Sequence, residues 1–450
     1  MASKKHKKKP IGKREFLFNV ISLVVVICIG IYFGARSFYY YGKQNMKIKE
    51  EAMTLNGLIL VNNKVTKDGD GLHQDTDGYY FKGNVLNNYV VFANRTFRVV
   101  KVNNDNTVQL VSNDIVGEFL WGEDAEYHSS NLYSWLTITK EQNSGIYYTT
   151  IPNPKKFLVQ TSYREDTLLD SKVSSSKKQY RDYVTTLTIQ DYSKANGKNS
   201  YLNINKFYWV LGLDKDGSNL YVDNEGSIQS STGYEGYGVR AVITLKANTS
   251  ILSGDGTISN PYVIDQGKYT NYVDSYVKIG NDTYKVFEDK DEILRLGAVN
   301  YIMRDGTFYV GPYSNSTSLF DPTNRKNIGY FLNRTYYYGL SYASFLLDSN
   351  FYTGEISNET GLSYQNIYQN VTTSKVGLFN MFDYNNIGLD NYYLLNTTST
   401  VGSMGYIYHS NGLLEEAKVT DSRYFVPVVS INKNLVKSGT GSISDPFVVG

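Results

Sequence analysis

The sequence predicts an α+β, β-rich fold in two tandem homologous modules behind a single N-terminal transmembrane helix. Three observations predict it. The run Gly254-Asp255-Gly256-Thr257-Ile258-Ser259-Asn260-Pro261-Tyr262-Val263-Ile264 returns as Gly439-Thr440-Gly441-Ser442-Ile443-Ser444-Asp445-Pro446-Phe447-Val448-Val449, with six of eleven positions identical. An opening set, Tyr89-Val90, Asn94, Thr96, Phe97 and Val99, returns in the same order as Tyr276-Val277, Asn281, Thr283, Tyr284 and Val286. The spacing of about 185 residues is too long for a solenoid unit and suits two whole domains. Finally, residues 16–34 read FLFNVISLVVVICIGIYFG, an uncharged stretch ahead of everything else.

That stretch is long enough to span the ~30 Å hydrocarbon layer at about 1.5 Å per residue. Residues 1–15 form a basic tail with Lys4, Lys5, Lys7, Lys8, Lys9, Lys13 and Arg14. Such a cluster stays cytoplasmic, which puts the rest of the chain outside the cell. A cleaved signal peptide with a small-x-small site at Ala35-Arg36-Ser37 is the competing reading, but the apolar run exceeds the roughly 7–15 residues of a signal core. Seven of the bases, against Glu15, sit in this tail, so of the chain's net +2 about −4 is left for the remainder. A weakly acidic ectodomain offers no basic stripe for nucleic acid, and that partner class is excluded.

Residues 35–78 read as stalk and linker, with a strand-like stretch from Leu55 to Val65 and a Gly/Asp-rich loop from Asp68 to Gly78. The first module runs over 79–265 and the second over 271–450. Each opens with a three-stranded meander rich in β-branched and aromatic residues: Tyr89–Phe92, Thr96–Val102 and Thr107–Val111, then Tyr276–Ile279, Thr283–Phe287 and Ile293–Leu296. A short helix follows, with Leu132, Trp135 and Leu136 behind a cap at Asn131, and Ile328, Phe331 and Leu332 behind Asn327. The middles diverge and then meet again at Asp191-Tyr192 and Asp383-Tyr384. An aromatic strand and a hairpin come next, then a closing strand, Val239–Ile243 or Phe425–Val429, where Pro427 implies an edge or bulge. Pro261 and Pro446 begin terminal strands that clasp each module through a buried ring, Tyr262 or Phe447.

Tyr79-Tyr80-Phe81-Lys82-Gly83, Asn88-Tyr89-Val90, Phe97-Arg98-Val99-Val100, the closing run Tyr237-Gly238-Val239-Arg240-Ala241-Val242-Ile243 and the Asn-Pro-Tyr segment carry a resemblance. Over most of residues 70–450 the chain resembles uncharacterised membrane-anchored surface proteins of low-GC Gram-positive bacteria and their wall-less relatives. The resemblance implies surface display without an assigned activity. The order of aromatic strand, hairpin and Val-Arg-x-Val strand is similar, loosely, to the C-type-lectin-like fold, without the disulfides of animal lectins.

Cys28, the only cysteine, lies in the apolar stretch, so the folded part cannot build disulfide, zinc-thiolate or thiol chemistry. Asp68, Asp70, Asp75 and Asp77, spaced by glycines, match calcium loops, which need six or more oxygens. A single copy without neighbouring repeats favours an acidic connector over a calcium site, and no other metal or cofactor is expected. Asp214 to Glu225 mimics an EF-hand loop but has Asn219 where the motif needs Gly, and reads as a hairpin. His6, His73, His128 and His409 are the only imidazoles, and neither His128-Ser129 nor His409-Ser410 makes a triad by adjacency. The tyrosines Tyr336, Tyr337, Tyr338, Tyr364, Tyr368, Tyr392 and Tyr393 offer faces for sugars or peptides. The reading that follows is a non-catalytic surface protein binding a glycan, envelope component or partner protein. The rival is an extracytoplasmic hydrolase using a carboxylate pair.

Overall fold

The computed structural model describes residues 54–122, 125–137, 150–151, 154–267 and 272–299, and those from 303 to 450 other than 305–306, 309, 316–318, 358–362, 367–369, 381–382, 384–392, 400–403 and 409–413. Of residues 1–53 it describes 12–14, 17–18, 20–22, 24, 30–34 and 36–37. The expected membrane span therefore lies, as a whole, outside the described residues. Its described members, such as Phe18, Ile21 and Phe33, are helical and exposed. Among the described residues no helix is long and apolar enough to cross a membrane.

The fold is β-rich, with several sheets and short helices. It begins earlier than the sequence suggests. Leu55–Asn62 is a helix, α1, where a strand was expected. The Thr54 hydroxyl accepts from Gly57 N, and Leu55 and Ile59, four apart, are buried on one face. The pair Asn62-Asn63 ends the helix, the Asn63 side chain donating to Ile59 O at 2.9 Å. The expected loop 68–78 is likewise a correction. Strand β1 (Gly71–Asp75) pairs antiparallel with β2 (Gly78–Lys82), and β2 pairs with the longest strand of the first sheet. Residues 54–82 thus pack on the N-terminal half rather than standing off as a linker.

The N-terminal meander is β3 (Tyr89–Phe92), β4 (Arg95–Asn103) and β5 (Val108–Ser112). Ala93 and Asn94 turn between β3 and β4 with φ of 53° and 58°, the left-handed pair a tight hairpin needs. Helix α2 (Asn131–Thr137) buries Leu132, Trp135 and Leu136 as expected; its first turn is capped by Ser130, whose Oγ accepts from Tyr133 N at 3.1 Å. The hairpin β6 (Thr161–Arg164) and β7 (Gln179–Asp182) precedes β8 (Val184–Thr186) and helix α3 (Ile189–Lys194). Strands β9 (Ala241–Leu245), β10 (Ile251–Ser253) and β11 (Tyr262–Ile264) complete the sheet, whose order is β8-β9-β5-β4-β3-β11-β10.

The C-terminal half repeats that order. Its meander is β12 (Tyr276–Ile279), β13 (Asp282–Lys290) and β14 (Ile293–Ala298). Helix α3's counterpart is not described, but α4 (Ile328–Phe331) answers to α2, and Asn327 caps it by accepting from Gly329 N at 2.8 Å. A hairpin β15 (Ser349–Tyr352) and β16 (Val371–Ser374) precedes β17 (Val376–Gly377), followed later by β18 (Val428–Asn432), β19 (Val436–Ser438) and β20 (Phe447–Val449). The order is β17-β18-β14-β13-β12-β20-β19. Even the β-bulge recurs, after Val99 in β4 and after Val286 in β13. The halves touch where Arg95 Nε lies 2.9 Å from Asp274 Oδ2 and Asn94 donates to Val273 O.

The expected strand Val239–Ile243 is divided between two sheets. Gly236–Val239 pairs parallel with Tyr208–Asp214 in the second sheet, while Ala241 onward is β9. Arg240 is fully buried at the crossing and donates to Ser112 O and Leu202 O. Pro427 stands at the corresponding crossing, its carbonyl accepting from Ala298 N, so β18 starts only after it. The clasp strands do begin after Pro261 and Pro446, parallel to β3 and β12. Of their two rings, one is buried as expected and the other is not. Tyr262 is buried and its hydroxyl accepts from Asn62 of α1, whereas Phe447, with no helix like α1 described over it, is only half-buried against Tyr272.

Candidate functional site

A cleft of about 390 Å³ opens on the N-terminal half between the sheet, the β6–β7 hairpin and α3. Lys101 of β4, Gln109 of β5 and Thr185 of β8 line it from the sheet. Thr161, Tyr163, Arg164 and Gln179 line it from the hairpin, and Thr188, Gln190, Asp191 and Lys194 from α3 and its cap. Asp191, buried at 6 % exposure, is its centre. The Thr188 hydroxyl donates to Asp191 Oδ2 at 2.9 Å and the Gln109 amide to the same oxygen at 3.0 Å. Lys101 Nζ stands 3.4 Å from Oδ1. Thr188 Oγ1 also accepts from Asp191 N, so one residue both caps the helix and aims its carboxylate.

At the mouth of the cleft Lys194 reaches Asp75 Oδ2 at 2.8 Å and Asp77 Oδ2 at 3.2 Å. Burial alone pushes the Asp75 carboxyl up, but Lys194 and the Asp77 N–H outweigh it and hold it below the usual range. Of the proposed calcium residues, Asp75 and Asp77 therefore share a lysine at the closed end of the β1–β2 hairpin. Asp70 turns at the open end to accept from Asn84 N, four strand steps or about 13 Å away. Asp68 contributes its carbonyl to Thr66. Among the described residues no three His, Cys, Asp or Glu side chains stand together as metal ligands. The Asp214 loop is a hairpin turn, its carboxylate accepting from Asp216 N and Ser218 N.

Behind the cleft, the Tyr163 hydroxyl donates to Asp182 and lies 3.3 Å from His128 Nε2. His128 is set among Tyr133, Tyr163 and Tyr180, with centroids 4.5, 6.3 and 4.1 Å away. Burial holds its imidazole below the ordinary value despite Asp182 and Glu126, and burial raises Asp182 despite Tyr163 and His128. His128 meets an aspartate and a tyrosine rather than Ser129. His73 is a core residue, its Nε2 2.9 Å from Gly69 O; His6 and His409 lie outside the described residues.

Matching the two sheets strand for strand locates the same place in the C-terminal half. The registers pair Lys101 with Gln109 and Glu288 with Arg295 beside the shared bulge, so Glu288 stands for Lys101 and Arg295 for Gln109. Asp383, at 3 % exposure, stands for Asp191. Arg295 Nη1 donates to Glu288 at 3.1 Å, and Arg295 Nη2 lies 3.6 Å from Asp383 Oδ2. Burial drives the Asp383 carboxyl up to about 6; Arg295 opposes this and Glu288 adds to it. Likewise Phe351 replaces Tyr163 and Gly377 replaces Thr185. The Phe351 ring lies on Gly377 so closely that a Cβ there would sit 2.2 Å from Cδ1.

Sequence reasoning named Asp191 and Asp383 as landmarks but missed the cleft, because the β6–β7 wall belongs to the divergent middle. Its one usable signal was the change of Gln109 to Arg295 beside a matched strand. Among the expected aromatic contacts, Tyr336 joins a hydroxyl cluster with Tyr284, Tyr337 is half-buried and Tyr338 is exposed. Tyr364, Tyr368, Tyr392 and Tyr393 lie outside the described side chains. No protein-family model, curated protein or solved structure matches this chain.

Proposed function

We propose that this chain is a non-catalytic, membrane-anchored cell-surface protein built from two homologous extracellular modules, the first of which binds its ligand in the cleft around Asp191. The uncharged stretch 16–34 behind seven bases supports the anchor and its orientation. The shared strand order and shared bulge support duplication of one fold. The likeness to C-type-lectin-like domains rests on the aromatic strand, the hairpin and the Val239-Arg240 corner.

The observation that carries binding over hydrolysis is the state of Asp191. A hydrolytic acid or base must exchange a proton with substrate, usually across from a second carboxylate roughly 5–10 Å away. Asp191 instead accepts from Thr188 and Gln109 on one oxygen and faces Lys101 on the other. In the C-terminal half Glu288 and Asp383 do come together, but around Arg295 between them. The ligand is an envelope component, glycan or partner protein of the cell surface. The test is binding of the full chain, in nanodiscs, to cell-envelope fragments. Gln109→Arg and Lys101→Glu should each reduce capture without any hydrolytic product appearing. Capture unchanged by both variants, or steady release of cleaved envelope fragments by the wild type, contradicts the reading.

A further inference from the structure

We infer that the cleft of the N-terminal half takes a neutral saccharide, and that the C-terminal half has closed the equivalent place, leaving one site per chain. The inference rests on the proposed binding role of the cleft and narrows its ligand.

Charge comes first. The acids on the cleft lining are Asp77, Asp166 and Asp191, and the bases are Lys101, Arg164 and Lys194, so the lining is balanced. Sites for phosphate or carboxylate ligands carry surplus arginine or lysine, and sites for amines carry surplus carboxylate. Balance favours a ligand with no net charge.

Hydrogen bonding comes second. Gln109, Thr161, Thr185 and Thr188 line the cleft and are more than nine-tenths buried. Amides and hydroxyls present donors and acceptors together, and buried ones hold them in fixed directions. Each of the four already has a partner within the protein, Gln109 and Thr188 in Asp191, Thr161 in Thr244 and Thr185 in Tyr127, which fixes its direction and leaves an oxygen lone pair to which a sugar hydroxyl can donate and a hydrocarbon cannot. Tyr163 adds a ring whose hydroxyl is tied back to Asp182, and the volume lies within the roughly 300–1,000 Å³ of small-molecule sites.

The C-terminal half supplies the contrast. There the Phe351 ring covers Gly377, and the Arg295 guanidinium lies 5.7 Å from the centre of that ring while paired to Glu288 and Asp383. The amide of Gln109, the hydroxyl of Thr185 and the base of Lys101 are all replaced. Among the described residues, the place that holds an amide and a hydroxyl in one half is filled by the Arg295 guanidinium and the Phe351 ring in the other.

The test is calorimetric titration of the full chain in nanodiscs. Neutral hexamers (β-1,4-glucose, α-1,4-glucose and β-1,4-N-acetylglucosamine) are set beside cationic glucosamine and anionic galacturonate hexamers. The expected result is one equivalent of a neutral hexamer per chain. Gln109→Arg, which installs the residue of the other half, and the milder Thr161→Val should each weaken it at least tenfold. Arg295→Gln should leave affinity and stoichiometry unchanged. Preference for a charged hexamer, two equivalents, or insensitivity to both cleft variants overturns the inference. If no neutral hexamer binds while envelope capture still falls with Gln109→Arg, the saccharide assignment fails and the cleft reading stands. If envelope capture ignores both Gln109→Arg and Lys101→Glu, the cleft reading itself fails.

Discussion

Arg295 Nη2 stands 3.6 Å from the buried Asp383 Oδ2, whereas the matching strand position in the other half places the neutral amide of Gln109 3.0 Å from Asp191. The cation beside the buried aspartate has changed strands, from Lys101 on β4 to Arg295 on β14, and Glu288 has taken the vacated position. Two acids now share one base. Asp383, deep and flanked by Glu288, therefore keeps its proton up to about pH 6.

A pH dependence follows, and its sign is opposite to that of a salt-bridged surface aspartate. The folded value near 6 exceeds the unfolded value of about 3.9, so the native state holds the extra proton between the two. This contribution is full below about pH 4 and is lost as pH rises through 6, for a change of about 3 kcal/mol. Urea unfolding of wild type and Asp383→Asn from pH 4 to 7.5 should show the variant without that slope. Parallel curves would contradict the assignment.

The contact between Phe351 and Gly377 predicts a narrow tolerance. Gly377→Ala forces the Phe351 ring to move and should cost about 1–3 kcal/mol as overpacking. Phe351→Ala should cost about 3–5 kcal/mol as a buried aromatic truncation. Chemical denaturation measures both, and a neutral Gly377→Ala would mean the ring is not held there.

The two clasps should differ. Tyr262 is buried beneath α1, so Tyr262→Ala should cost about 3–5 kcal/mol, and Tyr262→Phe about 1 kcal/mol through the lost Asn62 bond. Phe447 is half-buried, and Phe447→Ala should cost clearly less than Tyr262→Ala. Equal losses in thermal unfolding would contradict the asymmetric cover.

Topology is open to a direct assay. Protease added to intact cells should digest the chain from Tyr39 onward and spare the lysine-rich tail. Protection of the large region would remove the surface reading.

The sheets were legible because their signals are local and repeated: alternating β-branched and aromatic runs, Asn turns, and prolines ahead of the last strands. The helix at Leu55 was not, since a short apolar run fits helix and strand equally, and only its packing on the module decides. The Asp68–Gly78 stretch looked like a loop because its glycines and acids mask a hairpin that β4 and Lys194 hold from a distance. Arg240 was legible as a landmark but not as a crossing between sheets, because its carbonyl partners come from Ser112 and Leu202, far along the chain. The cleft was hidden for the same reason: β4, β5, the β6–β7 hairpin and α3 each supply a part, and no one stretch of sequence contains it.

The most direct measurement is hydrogen exchange of the full chain with and without saturating envelope fragments. The account predicts protection at residues 101–109, 161–164 and 188–194, and none at the matching 288–295, 349–352 and 376–377. Protection confined to the C-terminal half, or binding that leaves the Asp191 cleft unchanged, would contradict it.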